Sequence, residues 1–414
     1  MKLTMYRYTQ RILITAVIFL SVFDPANKFF EIKYPLFVAL VLVCVPDIFF
    51  SRCNSRAKVP VIIFFLIFSL IIPLYGLLVG EISGSMFSLN GWLGYFFAYL
   101  YLLLALCIIS DVEYATKVFF YALNCLSFLI VGIFVLGHVV NLQNLYEFGN
   151  AYGLYVLGSR TYGGTVFNVT YYVTSPLLIM ASAYWAYAVA KHVRLASVVM
   201  LCVTSAALFL SGTRANMAFA VIVPFVSFLI YRRISWSVAI AVVMALFTLY
   251  FNYADIIDSM LSVTSYSISV KFGYLSDYLR IASSTHDFIF GQGLGAYFFA
   301  TPLGKFVNVT ELTYLEIFRM YGVFVGVVVI FMLAIPLKGG VSRLCASKRY
   351  LHIGYLFYLM ACIVNPYLFS SNGMLILAVV LVNYYLQIRV PVTFREHIPI
   401  NSSRTSDHSI RSLA

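Results

Sequence analysis

The chain has 414 residues, 62% of them hydrophobic and only 10% charged, with a formal net charge of +12. Mean hydropathy is +0.94, which excludes an ordinary soluble domain, where apolar usage is about 45–50%. The excess of Lys and Arg is no nucleic-acid footprint, because it is spread over many short loops between apolar runs, as in loops that face anionic lipid.

A helix needs about 20 apolar residues to cross ~30 Å of hydrocarbon. On that criterion the chain is an all-α, polytopic membrane protein, with a single transmembrane domain over 1–388. About twelve spans are expected, near 11–27, 34–50, 59–79, 92–110, 118–140, 168–190, 195–211, 216–231, 235–252, 313–336, 351–369 and 373–388. Lys2, Arg7 and Arg11 stand at the first span and a long membrane domain follows, so it reads as a retained helix rather than a cleaved signal. With the N-terminus inside, 19 of the 27 Lys and Arg fall on the inner side, seven fall outside and Arg319 lies within a span. That bias satisfies the positive-inside rule and places both termini in the cytoplasm.

Two outer segments are longer than a turn, about 141–167 and 253–312, and loops of that length commonly carry function. In the second, Phe272, Leu275, Tyr278, Leu279 and Ala282 fall at helical spacing while Asp277 and Arg280 occupy other faces. This pattern predicts a short amphipathic helix lying on the bilayer. The tail, 389–414, is rich in Ser, Arg and His without an apolar face, and is expected to be a disordered cytoplasmic segment. The seven cysteines show neither a disulfide framework nor zinc-ligand spacing. No internal repeat suggests the duplicated halves of many transporters.

Positive charge on the outer side is the main functional signal. Arg160 stands in Gly158-Ser-Arg-Thr-Tyr-Gly163-Gly, where small residues let backbone approach a ligand and a guanidinium can grip a phosphate through two hydrogen bonds. The alternative is an Arg snorkelling to the interface. Arg214 stands in Ser211-Gly-Thr-Arg-Ala-Asn216, a tight turn between two spans, where it either serves an anion or caps helix carbonyls. Arg280 leads through His286 and Asp287 to Gly291-Gln-Gly293-Leu-Gly295. This glycine run lacks the βαβ setting of a nucleotide site and reads as a tight, ligand-facing re-entry or a simple turn. At the mouth of the tenth span, Glu316 and Arg319 are three apart and can pair on one helix face. Glu311, nearer the surface, is a candidate general base or a carboxylate favoured at a helix N-terminus. No Asp-x-Asp pair or His cluster is found, so no metal site is expected.

These pieces resemble the O-antigen polymerase and ligase superfamily of envelope polysaccharide enzymes. The resemblance rests on Arg160 with Gly163 and Asn168, the Ser-Gly-Thr-Arg214-Ala turn, and Phe290-Gly291-Gln-Gly293-Leu-Gly295 closing a large outer loop. It rests also on Glu311, Tyr314, Gly322 and Gly326, and on the ten-residue gap between Arg280 and Gly291. The resemblance implies a GT-C-like, all-helical fold with a large periplasmic loop containing short helices. It implies a cofactor-free, metal-independent glycosyltransferase in the bacterial inner membrane, lengthening O-antigen or a related surface polysaccharide. Donor and acceptor would be oligosaccharides linked to undecaprenyl pyrophosphate, with membrane lipid and a chain-length regulator protein as further partners. Arg160, Arg214 and Arg280 would bind the pyrophosphate, and Glu311, with His286 as second choice, would take the proton. Gly163, Gly291, Gly293, Gly295, Tyr314 and Arg319 would support them. Ligases of the superfamily carry a His near the position of Glu311, and none lies here between Asp287 and His352. The polymerase therefore ranks before a ligase, and both before a flippase or transporter of lipid-linked oligosaccharide.

Overall fold

Apolar residues at helical spacing turn most of this chain into helix. The computed structural model describes residues 2–50, 55–83, 86–139, 142–162, 165–232, 266–341 and 348–388; it is 79% helical and all-α in class. The helices are α1 (Lys2–Phe23), α2 (Lys33–Phe49), α3 (Ser55–Phe65), α4 (Ile72–Ile82), α5 (Leu89–Leu100), α6 (Leu104–Ile108), α7 (Val112–Val139), α8 (Leu142–Tyr152), α9 (Leu178–Lys191), α10 (Leu195–Leu210) and α11 (Arg214–Arg232). They continue with α12 (Tyr266–Ala282), α13 (Thr285–Phe290), α14 (Thr313–Ala334), α15 (Lys338–Val341), α16 (Arg349–Ala361) and α17 (Ser371–Ile388). Strands are few: β1 (Met86–Phe87), β2 (Tyr155–Tyr162), β3 (Thr165–Tyr172), β4 (Ala296–Ala300) and β5 (Lys305–Val307). β2 and β3 form a hairpin, and β1, β4 and β5 a small antiparallel sheet.

Among the described residues, five stretches are long and apolar enough to cross a membrane: Ala57–Ile82, Leu89–Ile108, Val112–Gly137, Arg214–Tyr231 and Thr313–Gly340. α10 and Ser371–Gln387 are shorter apolar helices. The outer surface supports a membrane setting independently of length. On α14, Phe324, Val327, Val328 and Phe331 form an exposed stripe at helical spacing, while Val329, Met332 and Leu333 face the core. An apolar stripe of that size turned outward is suited to lipid rather than water. The expected span near 235–252, the segment 253–265, Gly163 and the tail 389–414 lie outside the described residues.

The chief departure from expectation is at 155–172. Residues read as a loop followed by a span from 168 instead pair as the β2/β3 hairpin, with Tyr155 opposite Tyr172 and Arg160 opposite Phe167. Tyr, Val and Thr favour a pleated surface, and a short apolar run cannot be told from a buried helix by hydropathy alone. The helix starts only at Leu178, after a 3₁₀ turn over Ser175–Leu177 that contains Pro176, a residue whose fixed φ suits a helix start. α9 is then only 14 residues long and packs inside the bundle against α10, α11 and α16.

The segment before α14 is a cap docked onto the helices rather than a free loop. α12 is the predicted amphipathic helix, with Phe272 and Leu279 outermost. Tyr278, however, turns inward, where it packs with Tyr274, Phe298 and Ala300. Gly322 breaks α14 with φ 70° and ψ 178°, so the helical ladder is interrupted and carbonyls before it need other donors. The glycine run supplies them: Gln292 N donates to Arg319 O at 2.7 Å and Gly293 N to Met320 O at 3.1 Å, while Leu294 N reaches Gly76 O of α4 at 3.1 Å. Gly293, at φ 92°, lies so close to α4 that a Cβ there would sit 2.3 Å from the Cα of Gly80. These glycines let one backbone lie against another. The same docking brings the start of α14 and the loop after α16 to one end of the bundle.

Candidate functional site

Arg214 is the first residue of α11, and the turn before it is fixed from several directions. Gly212 has φ 66°, and a Cβ there would meet Val169 of β3 at 2.3 Å. Thr213 Oγ1 accepts from Asn216 N at 3.3 Å, closing the helix start. The buried Asn216 donates through Nδ2 to Ser175 at 3.0 Å and to Ser211 at 2.9 Å. The motif thus locks a half-buried Arg at a fixed helix start.

Arg214 lines a cleft of about 590 Å³. One wall is the hairpin, with Val156 and Gly158 of β2 and Val169 and Tyr171 of β3; another is the Ser211–Ala215 turn; the others are Lys271 of α12, Glu311, and Val364 to Tyr367 after α16. Lys271 Nζ lies 3.1 Å from Glu311 Oε2, with the two side chains 24% and 49% exposed. Tyr171 and Tyr367 share a hydrogen bond of 2.7 Å across the cleft, tying β3 to the loop after α16. Arg160 lies in β2, two positions after Gly158. The arrangement sets cations and a carboxylate around one partly open volume, suited to holding a polyanion beside a proton acceptor.

Other predicted residues are elsewhere. Arg280 is nine positions beyond Lys271 on α12, about 13 Å along a helix. Its side chain, 62% exposed, reaches back to Asp277 at 3.2 Å and to Phe299 O at 3.4 Å. Asp277 in turn accepts from Thr301 N at 2.8 Å and Thr301 Oγ1 at 2.6 Å. His286 stands 3.2 Å from Asp287 and is half exposed. Neither Arg280 nor His286 lines the cleft. Gly291, Gly293 and Gly295 meet backbone of α14, α4 and α5 respectively, a protein-facing use in place of the ligand-facing re-entry. Tyr314 hydrogen-bonds Leu359 O at 3.0 Å and joins α14 to α16.

Arg319 is fully committed within the protein. Its Nε donates to Glu316 at 2.7 Å, Nη1 to Ala296 O at 2.9 Å and Nη2 to Asn308 O at 3.0 Å, with the guanidinium 4.8 Å above the Phe298 ring. Glu316 accepts the Thr310 N–H with its other oxygen at 2.8 Å. Nearby, Tyr278 and Thr310 hydroxyls are 2.5 Å apart, and burial, then the Glu316 charge, pushes the Tyr278 hydroxyl well above its ordinary range. It stays protonated and structural. Sequence reasoning missed Lys271, which under the expected topology carries the same signal as Arg214, a cation on the outer side, but has no motif around it. Compared with known proteins, the chain matches no family model, no curated protein and no solved structure.

Proposed function

We propose that this chain is an O-antigen polymerase of the bacterial inner membrane, a metal-independent glycosyltransferase that joins oligosaccharide repeats carried on undecaprenyl pyrophosphate. In this reading the chain crosses the membrane about twelve times with both termini inside, and the cleft opens on the periplasmic side. The observation that supports it most is the meeting of Arg214, Lys271 and Glu311 around one cleft whose wall is the hairpin that contains Arg160.

The chemistry follows from charge. As the acceptor hydroxyl oxygen bonds to the anomeric carbon, the bond from that carbon to the pyrophosphate oxygen breaks, and negative charge grows on the leaving group. Fixed cations in a partly dry cleft stabilise that charge, and an Arg fork matches two phosphate oxygens at once. Glu311 accepts the hydroxyl proton, and undecaprenyl pyrophosphate departs. In this reading Lys271, 3.1 Å from Glu311, joins the anion-holding groups in place of Arg280.

The test is removal of the gene, followed by examination of surface lipopolysaccharide and lipid-linked precursors. Loss of a polymerase leaves single repeats attached to core. Polymer stranded on its carrier would instead mean a ligase, and precursors trapped inside a flippase; either result replaces this reading.

A further inference from the structure

The loop between α1 and α2 inverts the usual order of burial. Asp24 and Lys33, the charged residues at its two ends, are fully buried, while the residues 28–32 between them are all exposed. Among these, Phe29, Phe30 and Ile32 are 38%, 49% and 48% exposed. In a loop bathed in water the charges would face out and the rings in.

The loop's own bonds impose this inversion. Asp24 accepts the N–H groups of Lys28 at 3.0 Å, Phe29 at 3.2 Å and Phe30 at 2.8 Å, so one buried carboxylate fixes the backbone that carries the rings. Asn27 Oδ1 accepts from Lys33 N at 2.8 Å. The Lys33 ammonium closes the loop on Pro25 O and lies 3.4 Å from Ser371 Oγ of α17. Two non-glycine residues, Asn27 at φ 55° and Glu31 at φ 56°, take the left-handed region, a costly backbone that persists where surrounding bonds over-determine it and that clusters at functional segments.

Exposed hydrophobic residues continue on both sides of the tip. Along α2, Tyr34, Val38 and Leu42 are exposed at four-residue spacing, a stripe on one helix face. On the other side, the Phe29 ring lies 5.6 Å from Phe148 and 4.9 Å from Tyr152 of α8, where Tyr146 and Phe148 are themselves half exposed. The aromatic patch thus stands at the end of a helix whose outward face is apolar below it. A stripe of that length fits lipid, and aromatic side chains favour the level at which hydrocarbon meets water. We infer that the loop 28–32 and α8 form one anchor seated in the headgroup region of the bilayer. The anchor is tied to the hairpin: Tyr172 Oη donates to Phe23 O at 2.6 Å and Thr174 Oγ1 to Val22 O at 2.8 Å. It therefore sets the height of β3, a wall of the cationic cleft, above the lipid. That consequence for the cleft rests on the proposed function; the anchor itself does not.

The experiment uses the full chain in phosphatidylcholine–phosphatidylglycerol vesicles whose lipids carry a nitroxide either near the headgroup or near the end of the acyl chain. Phe30→Trp and Tyr146→Trp are the two reporters, each read as emission added to that of the three native tryptophans. Both additions are quenched about twofold more by the shallow nitroxide than by the deep one, because interfacial side chains lie about 5–10 Å into the headgroup and acyl boundary. Asn27→Ala, which removes the acceptor for Lys33 N and disfavours the positive φ, weakens the shallow preference at position 30. Emission quenched by aqueous iodide and by neither nitroxide shows a patch open to water, and emission shielded from all three quenchers shows a second copy covering it; either overturns the anchor. Preferential quenching by the deep nitroxide overturns its headgroup level, and a preference unchanged by Asn27→Ala overturns the role of the loop's own bonds.

Discussion

Arg319 and Arg214 stand in two regions of one end of the bundle and use the same side chain in opposite ways. Around Arg319 every group is answered: a carboxylate, two backbone carbonyls and an aromatic face surround a side chain with no exposure. Around Arg214 the surroundings are answered, through Thr213, Asn216 and Ser211, while the guanidinium lines a cleft. An arginine whose donors are all committed inside the protein holds structure. One whose position is fixed by its neighbours while it faces open volume is placed for a ligand.

Arg319→Ala breaks this contrast most severely. It leaves the Glu316 carboxylate buried at 3% exposure without its cation and two carbonyls without their donor. Removing one partner of a buried pair costs about 3–5 kcal/mol, so the expected outcome is loss of folded protein in the membrane, read by yield and thermal unfolding. Arg214→Ala gives the converse: normal yield and midpoint, with chain extension reduced about 10²–10³-fold, the range for losing one donor to developing negative charge. Arg214→Lys recovers little, because an ammonium lacks the fork. Full extension by the alanine variant would take Arg214 out of the mechanism.

The glycine run sharpens the structural side. Gly293→Ala places a Cβ 2.3 Å from the Gly80 Cα at a φ of 92°. The cap is then forced off α4 or the backbone strained, with a cost of about 1–3 kcal/mol, visible as a lowered thermal midpoint. Gly304, also at positive φ but with nothing within 4 Å of its added Cβ, is the control, and Gly304→Ala shifts the midpoint less.

These two regions differ in how legible they are from sequence. The apolar runs near 195–211 and 313–336 form the helices Leu195–Leu210 and Thr313–Ala334, of which only the second is long enough to cross a membrane, because a long apolar run fixes a helix whatever its surroundings. The Glu316/Arg319 pair is legible for a similar local reason, being three residues apart on one helix. The cleft is not local. Arg214 and Glu311 are recognisable in their own motifs, but their meeting depends on how the cap docks at Gly322, which no periodicity reveals. The hairpin at 155–172 stays hidden because its apolar residues run straight into those of α9. Lys271 and Arg280 show why charge alone misleads: both are cations on one helix, and only the fold distinguishes the one beside Glu311 from the one held by Asp277.

That last pair supplies the most discriminating test and the smallest effects. The Lys271/Glu311 contact is partly exposed, and such pairs contribute about 0–1 kcal/mol, so Glu311→Gln and Lys271→Met leave the thermal midpoint almost unmoved. Extension falls steeply in the first, which keeps the shape of Glu311 and removes its proton-accepting carboxylate, and less in the second, where Arg214 remains. Arg280→Ala removes a side chain that is 62% exposed and faces Asp277 rather than the cleft, and its loss of extension is the smallest of the series. If Arg280→Ala instead matches Arg214→Ala while Lys271→Met is silent, the anion sits at the far end of α12, and the cleft beside Glu311 is the wrong place for the reaction.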